Sequence, residues 1–465
     1  MSIAGSSIPA PGKPAEAPVT AGLERGLGSV GATALIVGGT IGVSIFVVPA
    51  GVANEVGAPG LAFLTWGLTG VMALCGALSF AELGAALPHT GGTYVFLKRA
   101  YPGTPVAFLY GWMTLFAHST GAIAVVASMG SLYAGHFIGR VVPYGTWATR
   151  GVAAGLILLL TALNLIGVRA GGRIQTALSA IKVLMLAGIV GLCFASPAGD
   201  VGRFTPILPA GISGLELSGS VATAMIMSVF SYSGWNFVTH VAGEVRDPAR
   251  NLPRSIGIAM GVVLTTYLLL NAAFLYVLPF EELRTSTRVA ADAMQRVLGS
   301  RAADVTALVV VLSAIGTLNA QLMNYPRVTY ALASDGLFFR RISRIDPKRH
   351  TPDAAIVLVG LWAAGFAMAG TFGQIMTYVS FVAQLFMALT VAGLLILRHR
   401  EPSLPRPYRV TLYPITPLLY LGILAWYLTS VLRERTAQSL VGIAIVAAGV
   451  PFYLYWSRRR AGAPD

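Results

Sequence analysis

Charged residues divide this chain into long uncharged runs. They cover residues 26–54, 56–81, 100–139, 151–168, 174–199, 217–243, 255–280, 305–326, 354–397, 410–432 and 436–457, and Lys182 is the one charge inside the fifth. A helix crosses a bilayer with roughly 17–25 apolar residues, so every run is long enough. The run 354–397 is long enough for two crossings, divided near Gly370-Thr371-Phe372-Gly373. The pattern predicts an all-α integral membrane protein with twelve transmembrane helices.

Two runs do not read as plain helices. The first centres on Val37-Gly38-Gly39-Thr40-Ile41-Gly42-Val43-Ser44, and Pro49 follows. Glycine costs roughly 1 kcal/mol against alanine in a helix interior, so three so close predict a break at bilayer depth. The sixth centres on Ser228-Val229-Phe230-Ser231-Tyr232-Ser233-Gly234-Trp235-Asn236. Irregular backbone at that depth survives only inside protein or along a cavity. Blander readings exist for each. Glycines let a neighbouring helix pack close, and serines bond back to carbonyls one turn earlier. The order favours a site, because interrupted helices come first and sixth and each opens a five-helix half. Paired interruptions at matching positions point to a transporter's binding site.

Composition agrees: 55% of residues are hydrophobic and 11% charged, which excludes an ordinary soluble domain. The net charge of +14 raises the question of nucleic acid. With the N-terminus inside, 21 of the 32 basic residues fall on the inner side and 9 on the outer. That bias fits two cytoplasmic ends and accounts for the charge without a nucleic-acid partner. Cys75 and Cys193 lie inside apolar runs and read as small buried hydrophobes without a disulfide. Residues 1–25 are rich in Pro, Ala, Gly and Ser and read as a disordered tail. The polar stretch 281–304 predicts a short outer surface helix. The six histidines (His89, His118, His136, His240, His350, His399) show no ligand spacing. No catalytic residue, metal or cofactor is expected, so an integral-membrane enzyme is disfavoured.

Further motifs sit at the ends of the runs. The second closes on Phe80-Ala81-Glu82-Leu83-Gly84-Ala85-Ala86-Leu87-Pro88, then Gly91-Gly92-Thr93-Tyr94. After the sixth come Glu244, Pro248 and Arg250-Asn251-Leu252-Pro253. The eighth ends Pro326-Arg327-Val328-Thr329-Tyr330-Ala331-Leu332-Ala333-Ser334-Asp335-Gly336, and Glu401-Pro402-Ser403-Leu404-Pro405-Arg406-Pro407-Tyr408 follows the tenth. With the glycine-rich first run, Ile45-Phe46 and Pro49, the chain resembles the amino acid–polyamine–organocation superfamily. The likeness spans nearly the whole chain and is closest to the L-type amino acid transporter branch and its bacterial relatives. It implies a five-plus-five inverted-repeat (LeuT-like) core with discontinuous helices one and six, plus two C-terminal helices. Residues 26–199 would form the first repeat, 200–400 the second and 401–457 the last two helices, with 458–465 a cytoplasmic tail. It also implies a multi-pass protein of the cell (inner) membrane, with a homo-oligomer left open.

The resemblance further implies an amino acid held by its backbone ends between helices one and six. The physics agrees, since a zwitterion needs donors for its carboxylate and acceptors for its ammonium. The amides of Gly42, Val43 and Ser44 would donate. The carbonyls of Thr40, Phe230, Ser231 and Ser233 would accept. No charged side chain is needed, which spares the site a desolvation cost. Phe230 is similar to the family's aromatic gate over the substrate; the alternative is a plain core- or lipid-facing phenylalanine. The family's break usually reads Gly, a small residue, Gly. Val43 and Ser44 depart from it, which leaves the donor geometry open and offers the Ser44 hydroxyl as a further ligand.

A lone charge in the membrane is a functional signal by default, and Lys182 is one. Its family position is where sodium-coupled relatives of the fold bind sodium. An ammonium there would replace that cation, tie helix five to helix one and make transport sodium-independent. The alternative is a lysine snorkelling to the cytoplasmic edge, since Arg173 is only roughly 13 Å away along a helix. For protons, Glu82 and Glu244 read as partners of loop arginines, His118 as a core or cavity-facing histidine, and Lys182 as able to shed a proton. Selectivity would fall to Ser119, Thr120 and Gly121 on helix three and Ser233 and Asn236 on helix six, with Asn319 on helix eight a weaker candidate. No acid lines this set, which favours small neutral side chains. The leading function is therefore a sodium-independent secondary amino acid transporter working by alternating access, as an exchanger. The alternatives are a proton-coupled symporter and, from another class, a transporter-like amino-acid sensor.

Overall fold

The computed structural model describes residues 22–209, 211, 214–370 and 372–461, and among them there are helices and no β-strand. The first run becomes α1 (Ser29–Thr40), a short 3-10 turn Val43–Phe46 and α2 (Val48–Val56). A left-handed Gly57 stops α2, and Pro59 at the first turn starts α3 (Pro59–Ala86). A surface helix α4 (Thr93–Ala100) leads to α5 (Val106–Ile138), which carries a π-helical turn at Thr114–His118. Next come α6 (Thr146–Asn164) and α7 (Val168–Phe194).

The sixth run becomes α8 (Gly214–Ser231), a turn over residues 232–236, and the short α9 (Phe237–His240). Then follow α10 (Pro248–Val277), α11 (Phe280–Thr285), α12 (Val289–Leu298) and α13 (Ala302–Ser334). The chain ends with α14 (Asp353–Ala369), α15 (Phe372–Arg400), α16 (Ile415–Glu434), α17 (Thr436–Ala447) and α18 (Val450–Ala461).

Nine helical stretches among the described residues are long and apolar enough to cross a membrane. The difference from the twelve expected helices has a plain origin. Runs one and six are broken, and α14 is 17 residues long. The outer stretch holds two short helices, α11 and α12, where one was expected. Helix eight runs on past its uncharged stretch through the closing motif: α13 continues to Ser334, and Arg327 inside it is buried.

The core sits around α1, whose residues from Ala34 to Thr40 are all buried. A helix apolar on every side belongs in an interior. α7, α10 and α13 pack around it, and α2 packs on α8.

Both described ends of the chain lie on one face of the bundle. There Leu27 is threaded against the segment after α9: its amide donates to the Glu244 carbonyl (3.0 Å) and its carbonyl accepts from the Arg246 amide (2.8 Å). Residues 22–25, expected to belong to a loose tail, are instead placed against this face. Leu23 is buried and the Gly22 carbonyl lies 2.6 Å from His350 Nδ1. Residues 1–21 of that tail lie outside the described residues. At the other end, Arg458 to Ala461 continue α18 rather than forming a tail, and residues 462–465 lie outside the described residues.

Charges clamp the same face. Glu82 takes a bidentate pair from Arg398 (2.8 and 2.5 Å) and the Val410 amide (2.7 Å). Glu244 and Arg327 form a second bidentate pair (2.8 and 3.0 Å), fully buried. Such a pair holds only because both ends are satisfied together; removing one leaves a buried charge. Asp335 takes Tyr94 and Lys98, both at 2.6 Å. The Asp346 carboxyl nearby accepts the Arg349 and Lys348 amides and is held below its usual range by them.

Candidate functional site

The site begins where α1 stops. Ile41 (φ −74°, ψ 87°) and Gly42 (φ −100°, ψ −162°) leave helical geometry, and Val43 starts the 3-10 turn. No residue here has positive φ, so Val43 and Ser44 fit a loop where the family pattern has smaller residues. Gly38 and Gly39 have a different task. They remain helical, and a Cβ on Gly38 would lie 2.0 Å from Gln175 Nε2, one on Gly39 2.5 Å from the Phe237 ring. The close-packing reading therefore holds for these two glycines and the break for the residues after them.

The end of α1 leaves orphan carbonyls. Lys182, fully buried on α7, fills them. Its Nζ donates to the Gly38 carbonyl (2.8 Å), the Ile41 carbonyl (2.5 Å) and Thr317 Oγ1 (3.0 Å). That uses all three protons of the ammonium, and a cation suits the negative end of a helix. The nitrogen does not reach for a face of the bundle, so it does not snorkel.

The second break lies against the first. Gly234, at φ +124°, closes the turn after α8, and a Cβ there would lie 2.9 Å from Thr40 Oγ1 and 3.0 Å from the Thr40 amide. Between the breaks stands Tyr267 of α10. Its hydroxyl lies 2.8 Å from both the Thr40 and the Ser231 carbonyl, and the Gly42 amide and Ser44 side chain lie against it. One hydroxyl proton serves one carbonyl at a time, and each carbonyl keeps a free lone pair. The Phe230 carbonyl takes the Ser233 amide (3.2 Å). Among the described residues the Gly42, Val43 and Ser44 amides have no backbone acceptor.

The remaining expected residues divide. Phe230 is 39% exposed and lines an outer vestibule of about 400 Å³ with Val48, His118, Ser233 and Gln384. An inner cavity lies beyond it, lined in part by Ser119, Ser233, Asn236 and His240. Thr120 is turned away, its hydroxyl bonded to the Leu115 carbonyl (2.9 Å), and Gly121 is buried but lines neither space. Asn319 is also elsewhere, bonding Gln175 (2.8 Å) and Asn164 (3.0 Å) between helices.

A family model described as amino acid permease matches residues 27–450. The chain belongs to that family, within the amino acid–polyamine–organocation superfamily. The permease is 33% identical over 448 residues to the large neutral amino acids transporter small subunit 2 of Mus musculus, covering 94% of this chain and 82% of the relative. It is 31% identical to the b(0,+)-type amino acid transporter 1 of Homo sapiens, over 96% and 90%. It is 32% identical to the Asc-type amino acid transporter 1 of Mus musculus, over 93% and 82%. These relatives put it on the L-type branch.

Sequence reasoning missed Tyr267, which sits inside an unremarkable apolar run and is revealed only by the packing of α10 on α1. It also passed over Gln384 and read His118 without its context. The π turn that ends at His118 is a common marker of functional helices, but it has no sequence signature.

Proposed function

We propose that this permease is a sodium-independent secondary transporter of neutral amino acids that exchanges them by alternating access. The supporting observation is the pair of adjoining breaks with Lys182 seated at the end of α1. The Val43 and Ser44 amides, without a backbone acceptor, and the Gly42 amide, which lies against the Tyr267 hydroxyl, suit the carboxylate, and the Thr40, Ser231 and Ser233 carbonyls suit the ammonium. Phe230 is exposed in the lining of the vestibule, as a gate would be. The Lys182 ammonium holds the carbonyls a sodium ion would need, which supports sodium independence.

In this reading the chain crosses the inner membrane twelve times as two inverted five-helix repeats and two further helices, with both ends cytoplasmic. The charge-clamped face is then the closed cytoplasmic gate, and the vestibule opens outward. One relative is named a small subunit, which implies an assembly for that protein. Both cysteines of this chain are buried, so no surface thiol is available for a disulfide, and an assembly with a partner subunit or with further copies of this chain would be non-covalent.

Uptake of labelled amino acids into proteoliposomes tests the reading. Uptake should need internal amino acid and be indifferent to sodium. A strict sodium requirement would overturn the role given to Lys182. Uptake driven by a pH gradient without internal substrate would make the protein a proton symporter, and binding without uptake would make it a sensor.

A further inference from the structure

The inner cavity, of about 70 Å³, and the vestibule share His118, Val229, Ser233 and Gln384, so they adjoin and together outline one path. The path starts at the breaks, because Ser233 precedes Gly234, which touches Thr40. A substrate held there by its backbone ends would point its side chain along this path. The chemistry of the lining then selects that side chain.

Two features exclude charge. Among the described residues, neither lining contains a carboxylate, and Arg435, at the outer end of the vestibule, is the one arginine or lysine. A third feature argues against a purely apolar side chain. The side chains of His118, Asn236 and Gln384 face the path and have no hydrogen-bond partner among the described residues. Ser119 Oγ is buried without a partner of standard geometry and faces the Tyr325 hydroxyl. By contrast, His240 at the same cavity is spent: one ring nitrogen lies 2.8 Å from Asn324 and the other 3.3 Å from Tyr110. Polar groups at bilayer depth normally find partners, because leaving them unmade costs several kcal/mol. Here the unspent ones converge on one space from α5, the second break and α15.

We infer that the substrate side chain is a carboxamide, as in glutamine or asparagine, held by His118 and Gln384 with Asn236 and Ser119 around it. An amide both donates and accepts. A neutral imidazole and a glutamine side chain each offer the complementary pair, and no ionised group is needed. The inference rests on the transporter reading and narrows its substrate class. A site built to hydrogen-bond its ligand strongly rejects an apolar analogue, since the site's own polar groups are then left unpaired.

The test uses the full chain in proteoliposomes and compares glutamine with methionine, which has similar length and no amide. Half-saturation by glutamine is expected at a concentration at least tenfold lower. Gln384→Leu and His118→Leu should each raise the glutamine value tenfold or more and cut its advantage over methionine by at least fivefold. Melting-temperature shifts with each amino acid report binding for any variant that folds but does not cycle. Methionine matching or beating glutamine in the unaltered protein overturns the carboxamide assignment while leaving the transporter reading intact. If no neutral amino acid is bound or carried, the transporter reading falls and this assignment with it.

Discussion

The two breaks do the same job with opposite means. The first has no left-handed residue; α1 stops at ordinary negative φ, and a cation from α7 satisfies what it leaves behind. The second has no cation. Its turn bonds to itself, Ser233 amide to Phe230 carbonyl (3.2 Å) and Phe237 amide to Gly234 carbonyl (3.0 Å), around a glycine at φ +124°. One end is fixed by a charge borrowed from elsewhere in the fold, the other by local backbone. The first break should therefore fail when a charge is removed, and the second when a single methyl is added.

Gly234→Ala is the severest test. Its conformation strains any residue with a Cβ by about 1–3 kcal/mol. The added carbon would also press on the Thr40 amide at 3.0 Å, which is backbone and cannot rotate away. Transport should fall at least ~100-fold, with a lower melting temperature. Uptake within threefold of the unaltered protein would show that the second break is softer than the contacts imply.

Lys182→Met comes next. It keeps most of the side chain's length and removes the charge, leaving the Gly38 and Ile41 carbonyls to share the one Thr317 hydroxyl proton, at 3.1 and 3.4 Å, so that one of them goes without a donor. A buried carbonyl so abandoned costs about 1–3 kcal/mol, which predicts a loss of transport of roughly ten- to a hundredfold. Sodium should restore part of it by occupying the emptied place. Full activity at every pH and no response to sodium would reduce the lysine to an anchor.

Much of this arrangement was legible in the sequence. The apolar runs fixed the helices because membrane helices need length and apolarity and little else. Both breaks and Lys182 stood out because glycine, serine and charge are costly at that depth. What escaped was tertiary. Gly38 and Gly39 looked like part of the break, and only their neighbours Gln175 and Phe237 show that they serve packing. Arg327 read as a charge within a span but without a partner, because Glu244 is 83 residues away. Asn319 looked like a site residue, because spacing cannot tell a cavity from the seam between α6, α7 and α13. Tyr267 gave no signal at all.

That tyrosine offers a finer cut, because it touches both breaks. Tyr267→Phe keeps the ring against Trp66 and Tyr232, at centroid distances of 5.6 and 5.0 Å, and removes only the hydroxyl. A net hydrogen bond is worth about 0.5–1.5 kcal/mol, so a loss of roughly three- to tenfold in transport is expected, with little change in melting temperature. A stability loss as large as that of Gly234→Ala would mean that the hydroxyl holds the bundle together rather than the two breaks to each other.

The smallest effect belongs to Ser44, the residue that departs from the family pattern. Its backbone φ is negative and its side chain lies near the Tyr267 hydroxyl, so glycine there has no conformational advantage. Ser44→Gly loosens the 3-10 turn by up to ~1 kcal/mol and deletes the hydroxyl; Ser44→Ala deletes the hydroxyl alone. If the hydroxyl binds the substrate carboxylate, both variants should weaken substrate affinity by about two- to fivefold, the worth of one modest hydrogen bond. If only Ser44→Gly weakens it, the turn's stiffness matters and the hydroxyl does not. The first break would then hold the carboxylate through peptide groups alone, as the second is proposed to hold the ammonium.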